Sequence, residues 1–462
     1  MNDFILKDRT AIVGIGSTSF GKGFAESEEQ LACQVIKQAL DEAGISPSEV
    51  DALSSYTMQT NEEEEIARNL GFNDLTFFSR TPAGGGGGCG TVGHVAMAVA
   101  TGQAKVGVAY RARKRSSKAS RVWAGTQQRV NKRQMWESPF GHIRPVDDVA
   151  FLTRRYMHEF GATREHMANV ALAFRKHASK NPAAVMGNRP MTREQYMDVR
   201  MISEPLCLFD CCLETDGAMA VVVVSAERAK DVPTKPAYIH AFSQGISAGS
   251  SMMFGYRAQD PFYTQAYACA KGLWRYSDFQ PKDVQVAQIY DAFSPEIWFS
   301  LEGFGFCKRG EGAAFTENGG IEYGGRLPVN TSGGGLSEVY LHGYNHIVEA
   351  VRQVRGTSTL QVPNVQCSFA SSSDGVPTGA LLLRKGGAVF RRAHKAGIRA
   401  RKPSTNQAIL PLQASCHARD DNQPPGTCAR RMGRLLRGRN FGTSPGRLKI
   451  TREAPTRKDH HE

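Results

Sequence analysis

Apolar positions along the first hundred residues switch between two periods. Residues 10–15 form a continuous apolar run that stops at a Gly- and Ser-rich turn, the pattern of a buried strand. Leu31, Val35, Ile36 and Leu40 recur at helical spacing within residues 27–43, behind Ser27-Glu28-Glu29 and ahead of Gly44, which marks both ends of an amphipathic helix. The chain turns through Pro47 and Val50 into a second strand. A helix over residues 62–70, a strand near 74–79, a glycine run at 84–88, a helix over 91–101 and a strand over 105–110 follow. This alternation predicts a mostly parallel sheet with crossover helices.

Residues 111–205 break the rhythm. They are Arg-rich, longer-looped and helical in patches, and they read as an insertion over one end of the sheet, the expected cap for an acyl chain. A buried strand at residues 216–224 closes the first half. A strand at 237–242 and a helix at 260–276 then restart the pattern. Phe279-Gln-Pro281-Lys-Asp-Val284 repeats the order of Ile45-Ser-Pro47-Ser-Glu-Val50, and closing strands are expected at 359–363 and 378–384. The reading is an internal duplication of α/β units. It gives an N-terminal half at 1–230 with the insertion at 111–205, a C-terminal half at 231–385 and a tail at 386–462.

Composition changes the picture in two places. The net charge of +13 suggests a nucleic-acid binder, but after Lys385 there are 17 Lys and Arg against 5 Asp and Glu, leaving 40 against 39 in the body. The basicity belongs to the tail, so the body offers no case for nucleic-acid binding. The tail has little apolar periodicity and is expected to be disordered. An RNA or acidic-partner arm and a reading-frame accident are both open for it, and no function is favoured. The 10 cysteines include no C-x-x-C pair, and Cys207, Cys211 and Cys212 have no His at zinc-finger spacing. Buried reduced thiols, no metal and a reducing cytoplasm are expected. No apolar run is long enough for a membrane span.

The candidate chemistry gathers around residues 330–343. Gly333, Gly334 and Gly335 form a turn ahead of a helical pattern at 344–354, an arrangement that brings backbone N–H groups to a ligand, so these glycines are assigned to substrate binding. Tyr340 stands where the turn becomes helix. Tyr290 ends an apolar run within Gln288-Ile-Tyr-Asp-Ala-Phe-Ser. The two tyrosines are expected to share one pocket. The bland reading of each is a half-buried packing residue with a satisfied hydroxyl. Cys89 reads as an inert thiol, His94 as a packing residue, and Arg111 to Arg115 as a solvated loop or a grip on phosphates.

The order of the duplicated body, Asp216-Gly-Ala, Y-D-A-F-S, S-G-G-G-L-S and the closing D-G-V-P-T-G-A-L-L-L resembles the thiolase superfamily over residues 8–385, closest to its sterol-carrier or lipid-transfer branch. The resemblance implies an α/β, duplicated fold layered α-β-α-β-α. It also implies a nucleophilic cysteine in C-x-S-G, but spacing from Gly102 puts Gly85 there. The family's Asn or His before its E-A-F is here Tyr290, the His of G-H-P is Tyr340, and the late Cys falls near Ser372. Two tyrosines in place of the acid/base groups resemble the thiolase-like aldolases of steroid side-chain degradation.

The implied reaction is retro-aldol cleavage of a β-hydroxyacyl-CoA, turning a 17-hydroxy steroid carboxyl-CoA into a 17-ketosteroid and propionyl-CoA. Tyr290 and Tyr340 would be the acid/base pair, with individual roles open, His342 and Tyr344 would orient them, and Gly85 would contact substrate. No cofactor is implied beyond the CoA of the substrate. The implied partners are a second copy of the chain and a small OB-fold, zinc-ribbon protein. An acyl-CoA thiolase or acetyltransferase and a non-catalytic sterol carrier are the alternatives. Gly88-x-Gly90-x-x-Gly93 also matches a dinucleotide fingerprint, which makes an NADPH enzyme a further class.

Overall fold

The two-period pattern folds into strands β1 (Thr10–Ser17), β2 (Ala52–Tyr56), β3 (Phe77–Thr81), β4 (Val106–Lys114), β7 (Asp216–Ser225), β8 (Ala237–Gly245), β9 (Val286–Gln288), β10 (Cys367–Ser372) and β11 (Thr378–Lys385), with a small hairpin of β5 (Met201–Ser203) and β6 (Leu206–Cys207). The computed structural model describes residues 6–57, 60–81, 87–116, 134–248, 259–374 and 378–386, all within the unit Met1–His394. Gly85 and, beyond Gly386, the whole tail lie outside the described residues.

The strands run β3-β2-β4-β7-β1-β8-β11-β10-β9 across one sheet. Its first five strands and last four are two half-sheets joined by a short β1–β8 pairing. The duplication is visible in the order. β2-β4-β7-β1 and β9-β10-β11-β8 share one arrangement, with a parallel pair followed by two antiparallel pairs in each. The expected mostly parallel sheet is therefore corrected to a mixed one. The closing strand of each half runs antiparallel to both its neighbours, β7 between β4 and β1, and β11 between β10 and β8. β11 follows β10 after only a short return, too short for the crossover a parallel pair requires. The echo around proline is also structural: Pro47–Glu49 and Pro281–Asp283 each form one helical turn that delivers Val50 or Val284 to the next strand.

Helices separate the layers. Helix Glu28–Ala43 starts at Ser27, whose Oγ accepts from the Gln30 N–H at 3.0 Å, and stops at Gly44 with φ +65°. Its Leu31, Val35, Ile36 and Leu40 pack on Val13, Val106 and Val222. Helix Gln265–Arg275 covers the outer face of β8 and β11. Helices Gly87–Ala100 and Tyr344–Arg355 lie between the half-sheets. The expected α-β-α-β-α layering is the one observed.

Other boundaries shift. β4 continues to Lys114, so the irregular segment begins after it rather than at residue 111. The expected strand at 359–363 is a loop, and the pairing strand is β10. Gln353 explains this: its side chain accepts from Val362 N–H at 3.0 Å and donates to Leu360 O at 2.9 Å, satisfying backbone groups that would otherwise seek a neighbouring strand. The glycines of the dinucleotide pattern sit inside helix Gly87–Ala100, not in a loop ahead of it. A Cβ on Gly93 would lie 2.1 Å from the Phe242 ring, so that glycine lets the helix approach the second half-sheet. No helix among the described residues is long and apolar enough to cross a membrane.

Candidate active site

β9 ends at Gln288, and the next residues leave the sheet toward the glycine turn. Asn330 fixes the distance between the two segments: its Oδ1 accepts from Ile289 N–H at 2.7 Å, and its Nδ2 donates to Ile289 O at 2.8 Å. Asp291 fixes the turn. It accepts from the N–H groups of Gly335 and Leu336 at 2.7 and 3.2 Å, and its Oδ1 lies 2.9 Å from His346 Nε2. Gly334, at φ +62°, allows this approach, since a Cβ there would stand 2.3 Å from Asp291 Oδ2.

The expectation that Gly333, Gly334 and Gly335 bind substrate is corrected. All three are buried, Gly333 N–H goes to Asn330 O, and the amides at the helical turn hold Asp291 instead of facing a ligand.

The result of this clamping is a pair. The hydroxyls of Tyr290 and Tyr340 are 2.5 Å apart, and both side chains are buried. Burial pushes both phenols well above their ordinary range. Tyr340 follows the short helical turn Gly334–Ser337, and its N–H donates to Thr215 Oγ1 at 3.2 Å.

Three residues missed at the sequence level complete the surroundings. Arg111 and Arg113 are 0% and 1% exposed, which corrects their reading as a solvated loop or a phosphate grip. They extend β4, and their spacing of two residues puts both on the face turned to the tyrosines. The Arg113 guanidinium lies 4.6 Å from the centre of the Tyr340 ring, and its Nη1 donates to Tyr340 O at 3.4 Å. Arg111 lies 5.0 Å from the centre of the Tyr56 ring, at the end of β2. The available signal was the alternation of Tyr110-Arg-Ala-Arg113, which continues the strand period.

His342 packs edge-on to Tyr340, with ring centres 4.9 Å apart, and against Tyr56 at 5.2 Å. Arg111 Nε donates to His342 Nδ1 at 3.2 Å, so the ring proton sits on Nε2, which has no hydrogen-bond partner among the described residues. Burial, with Arg111 and Arg113 adding to it, holds His342 well below its usual range and therefore neutral. Tyr344 is placed differently. Its hydroxyl bonds Thr91 in the other middle-layer helix, so it locks the two helices together. A polar surface cleft lined by Glu165, Asn169, Arg193 and Glu322 includes none of these residues.

Thiolase family models match the chain over most of its described length: a thiolase N-terminal domain at residues 10–204 and a thiolase C-terminal domain-like region at residues 249–382. The 17-hydroxy-3-oxo-4-pregnene-20-carboxyl-CoA lyase of Mycobacterium tuberculosis is 44% identical over 387 residues, 82% of this chain and 100% of that protein. The chain belongs to the thiolase family. A second relative, the steroid side-chain-cleaving aldolase of Thermomonospora curvata, is 45% identical over 388 residues, 82% of this chain and 98% of its own length. The solved structure of an Ltp2-ChsH2(DUF35) aldolase superposes with a TM-score of 0.78 at 45% identity, covering 82% of this chain and 98% of that one.

Within this thiolase scaffold the thiol nearest the expected nucleophile position is not activated. Cys89 is fully buried, its N–H donates to Ser372 Oγ at 2.9 Å, and burial pushes its thiol up to about 12. A thiol held in that state is a poor nucleophile. Every described cysteine is a free thiol. Cys89→Ala is expected to keep turnover within about threefold of wild type, because the side chain acts only as a small buried hydrophobe. Steady-state kinetics check this, and a loss of more than a hundredfold in a folded variant would restore a cysteine nucleophile.

Proposed function

We propose that this chain cleaves the side chain of a 17-hydroxy steroid carboxyl-CoA by a retro-aldol reaction, giving a 17-ketosteroid and propionyl-CoA. The observation carrying the reading is the buried Tyr290–Tyr340 hydroxyl pair, set at 2.5 Å, in a chain whose Cys89 thiol is not activated. The names of the two relatives at 44% and 45% identity support the substrate class.

The reaction needs a base for the β-hydroxyl proton, a donor for the thioester oxygen as the enolate forms, and an acid for its carbon. Tyr290 and Tyr340 supply the base and the acid. The Nε2–H of His342 is a neutral, oriented donor with no other partner, suited to the thioester oxygen. No acyl-enzyme forms, so the bond broken is carbon–carbon and the thioester survives intact. A thiolase or acetyltransferase would need an activated thiol and free CoA, and the buried Cys89 disfavours that alternative. A sterol carrier would have no use for paired acid/base groups.

We further propose that the chain works as a homodimer in a hetero-oligomer with a small OB-fold, zinc-ribbon protein. The support for a second protein is the named two-component assembly of the structural neighbour.

The test is product analysis by mass spectrometry on the 17-hydroxy steroid acyl-CoA, with the small partner co-expressed. The 17-ketosteroid with propionyl-CoA supports the reading. Intact acyl-CoA with the partner present contradicts it, and turnover of a β-ketoacyl-CoA only when free CoA is added moves the assignment to a thiolase.

A further inference from the structure

One charged group in the site has no counter-ion among the described residues. Arg113 is 1% exposed. Its guanidinium donates to Tyr340 O at 3.4 Å, its Nε has no hydrogen-bond partner, and no carboxylate among the described residues pairs with it. Arg111, two residues back on the same face, has Glu28 at 3.9 Å. Burying a cation without a counter-ion is costly, so a fold that retains one has use for positive charge at that point. The Arg113 guanidinium lies over Tyr340, 4.6 Å from its ring centre, on a strand of the first half; Tyr290 comes from the second half.

We propose that Arg113 polarises Tyr340, making Tyr340 the base of the pair and Tyr290 the acid. The assignment rests on the cleavage reading above. The groups facing Tyr340 are unequal to those facing its partner. Arg113 on β4, Tyr56 on β2, Cys212 ahead of β7, Tyr290 beyond β9 and His342 in its own loop surround Tyr340. Burial and Cys212 raise its phenol, while Arg113 opposes them. Burial raises Tyr290 as well, and among the described residues no cation opposes it there. Glu296, in helix Ser294–Gly303 on the Tyr290 side, accepts from Ala292 N–H at 2.9 Å, and burial pushes its own carboxyl well up, so it offers Tyr290 no compensating positive charge. Tyr290 thus keeps its proton and donates across the short bond, and Tyr340 is the acceptor.

The step balances with no added reagent. The reactive form is the fraction of the pair that has lost one proton and shares the other; burial keeps that fraction small, and Arg113 over Tyr340 enlarges it. Tyr340 Oη takes the β-hydroxyl proton, the new alkoxide oxygen forms the ketone, and the carbon–carbon bond breaks with its electron pair passing into the thioester enolate. Tyr290 Oη gives its proton to the enolate carbon. Transfer of one proton from Tyr340 to Tyr290 along their mutual hydrogen bond restores the starting pair.

The experiment compares wild type, Arg113→Lys and Arg113→Met for cleavage across the neutral and alkaline range. It adds a spectrophotometric phenol titration of each, with the matching Tyr340→Phe protein subtracted. Losing the positive charge disfavours the deprotonated pair, so in Arg113→Met the ascending limb of kcat moves upward by about 1–3 pH units, the size of a single opposite-charge effect at this distance. The subtracted titration moves the same way, and Arg113→Lys moves both by less. If Arg113→Met does not fold, Arg113→Lys bears the test, since its compact ammonium cannot reproduce the stacked guanidinium. A limb and a titration that stay in place in a folded variant overturn this assignment while cleavage stands. A wild type that does not cleave overturns the cleavage reading and this assignment together.

Discussion

Tyr290→Phe and Tyr340→Phe are each expected to lower kcat for side-chain cleavage by about 10²–10⁴, the usual contribution of a positioned acid or base. Each change keeps the ring, so packing against His346 or Arg113 persists. Each also leaves the other hydroxyl buried without the partner it now has at 2.5 Å, which costs about 1–3 kcal/mol of stability. KM should move little, because a proton-transfer group acts in the transition state. The double variant should be about as slow as the slower single one, since the two act as a unit. Steady-state kinetics with thermal unfolding check all three proteins. Wild-type turnover in either folded single variant contradicts the pairing.

Asp291→Ala is expected to be the most damaging change to the fold near the site. The side chain accepts from two backbone N–H groups and lies at hydrogen-bond distance from His346, all buried. Alanine leaves these groups unpaired, at about 1–3 kcal/mol for each buried donor, so a total near 3–5 kcal/mol is expected once relaxation is allowed. Urea unfolding measures it. Cleavage should fall as well, even in the fraction that stays folded, because the turn held by Asp291 positions Tyr340 opposite Tyr290. Asp291→Asn keeps one acceptor and should fall between alanine and wild type. A stable, active Asp291→Ala protein contradicts the account of the turn.

The parts of this architecture that rest on local pattern were legible in the sequence. The Pro47-to-Val50 and Pro281-to-Val284 echo marks equivalent points of a real topological repeat. Tyr290 and Tyr340, fifty positions apart, were matched through motif order, and the structure brings them into contact. What stayed hidden depends on partners distant in sequence. Arg111 and Arg113 read as solvated because a run of basic residues normally is, and only the neighbouring rings and His342 make their burial intelligible. The glycine turn read as an open anion cradle, yet Asp291, from the segment beyond β9, already fills it. The loop at 359–363 looked like a strand because its apolar residues suit one; the side chain of Gln353 decides otherwise.

The central claim is that the carbon–carbon bond breaks to an enolate that the site itself protonates, with no acyl-enzyme and no free CoA. The most direct measurement is the mass of the propionyl-CoA released from the 17-hydroxy steroid acyl-CoA in deuterated water without added CoA. The account predicts propionyl-CoA bearing a single solvent deuterium on its α-carbon, formed in equal amount with the 17-ketosteroid. Product that appears only when CoA is supplied, or propionyl-CoA without deuterium, would contradict it.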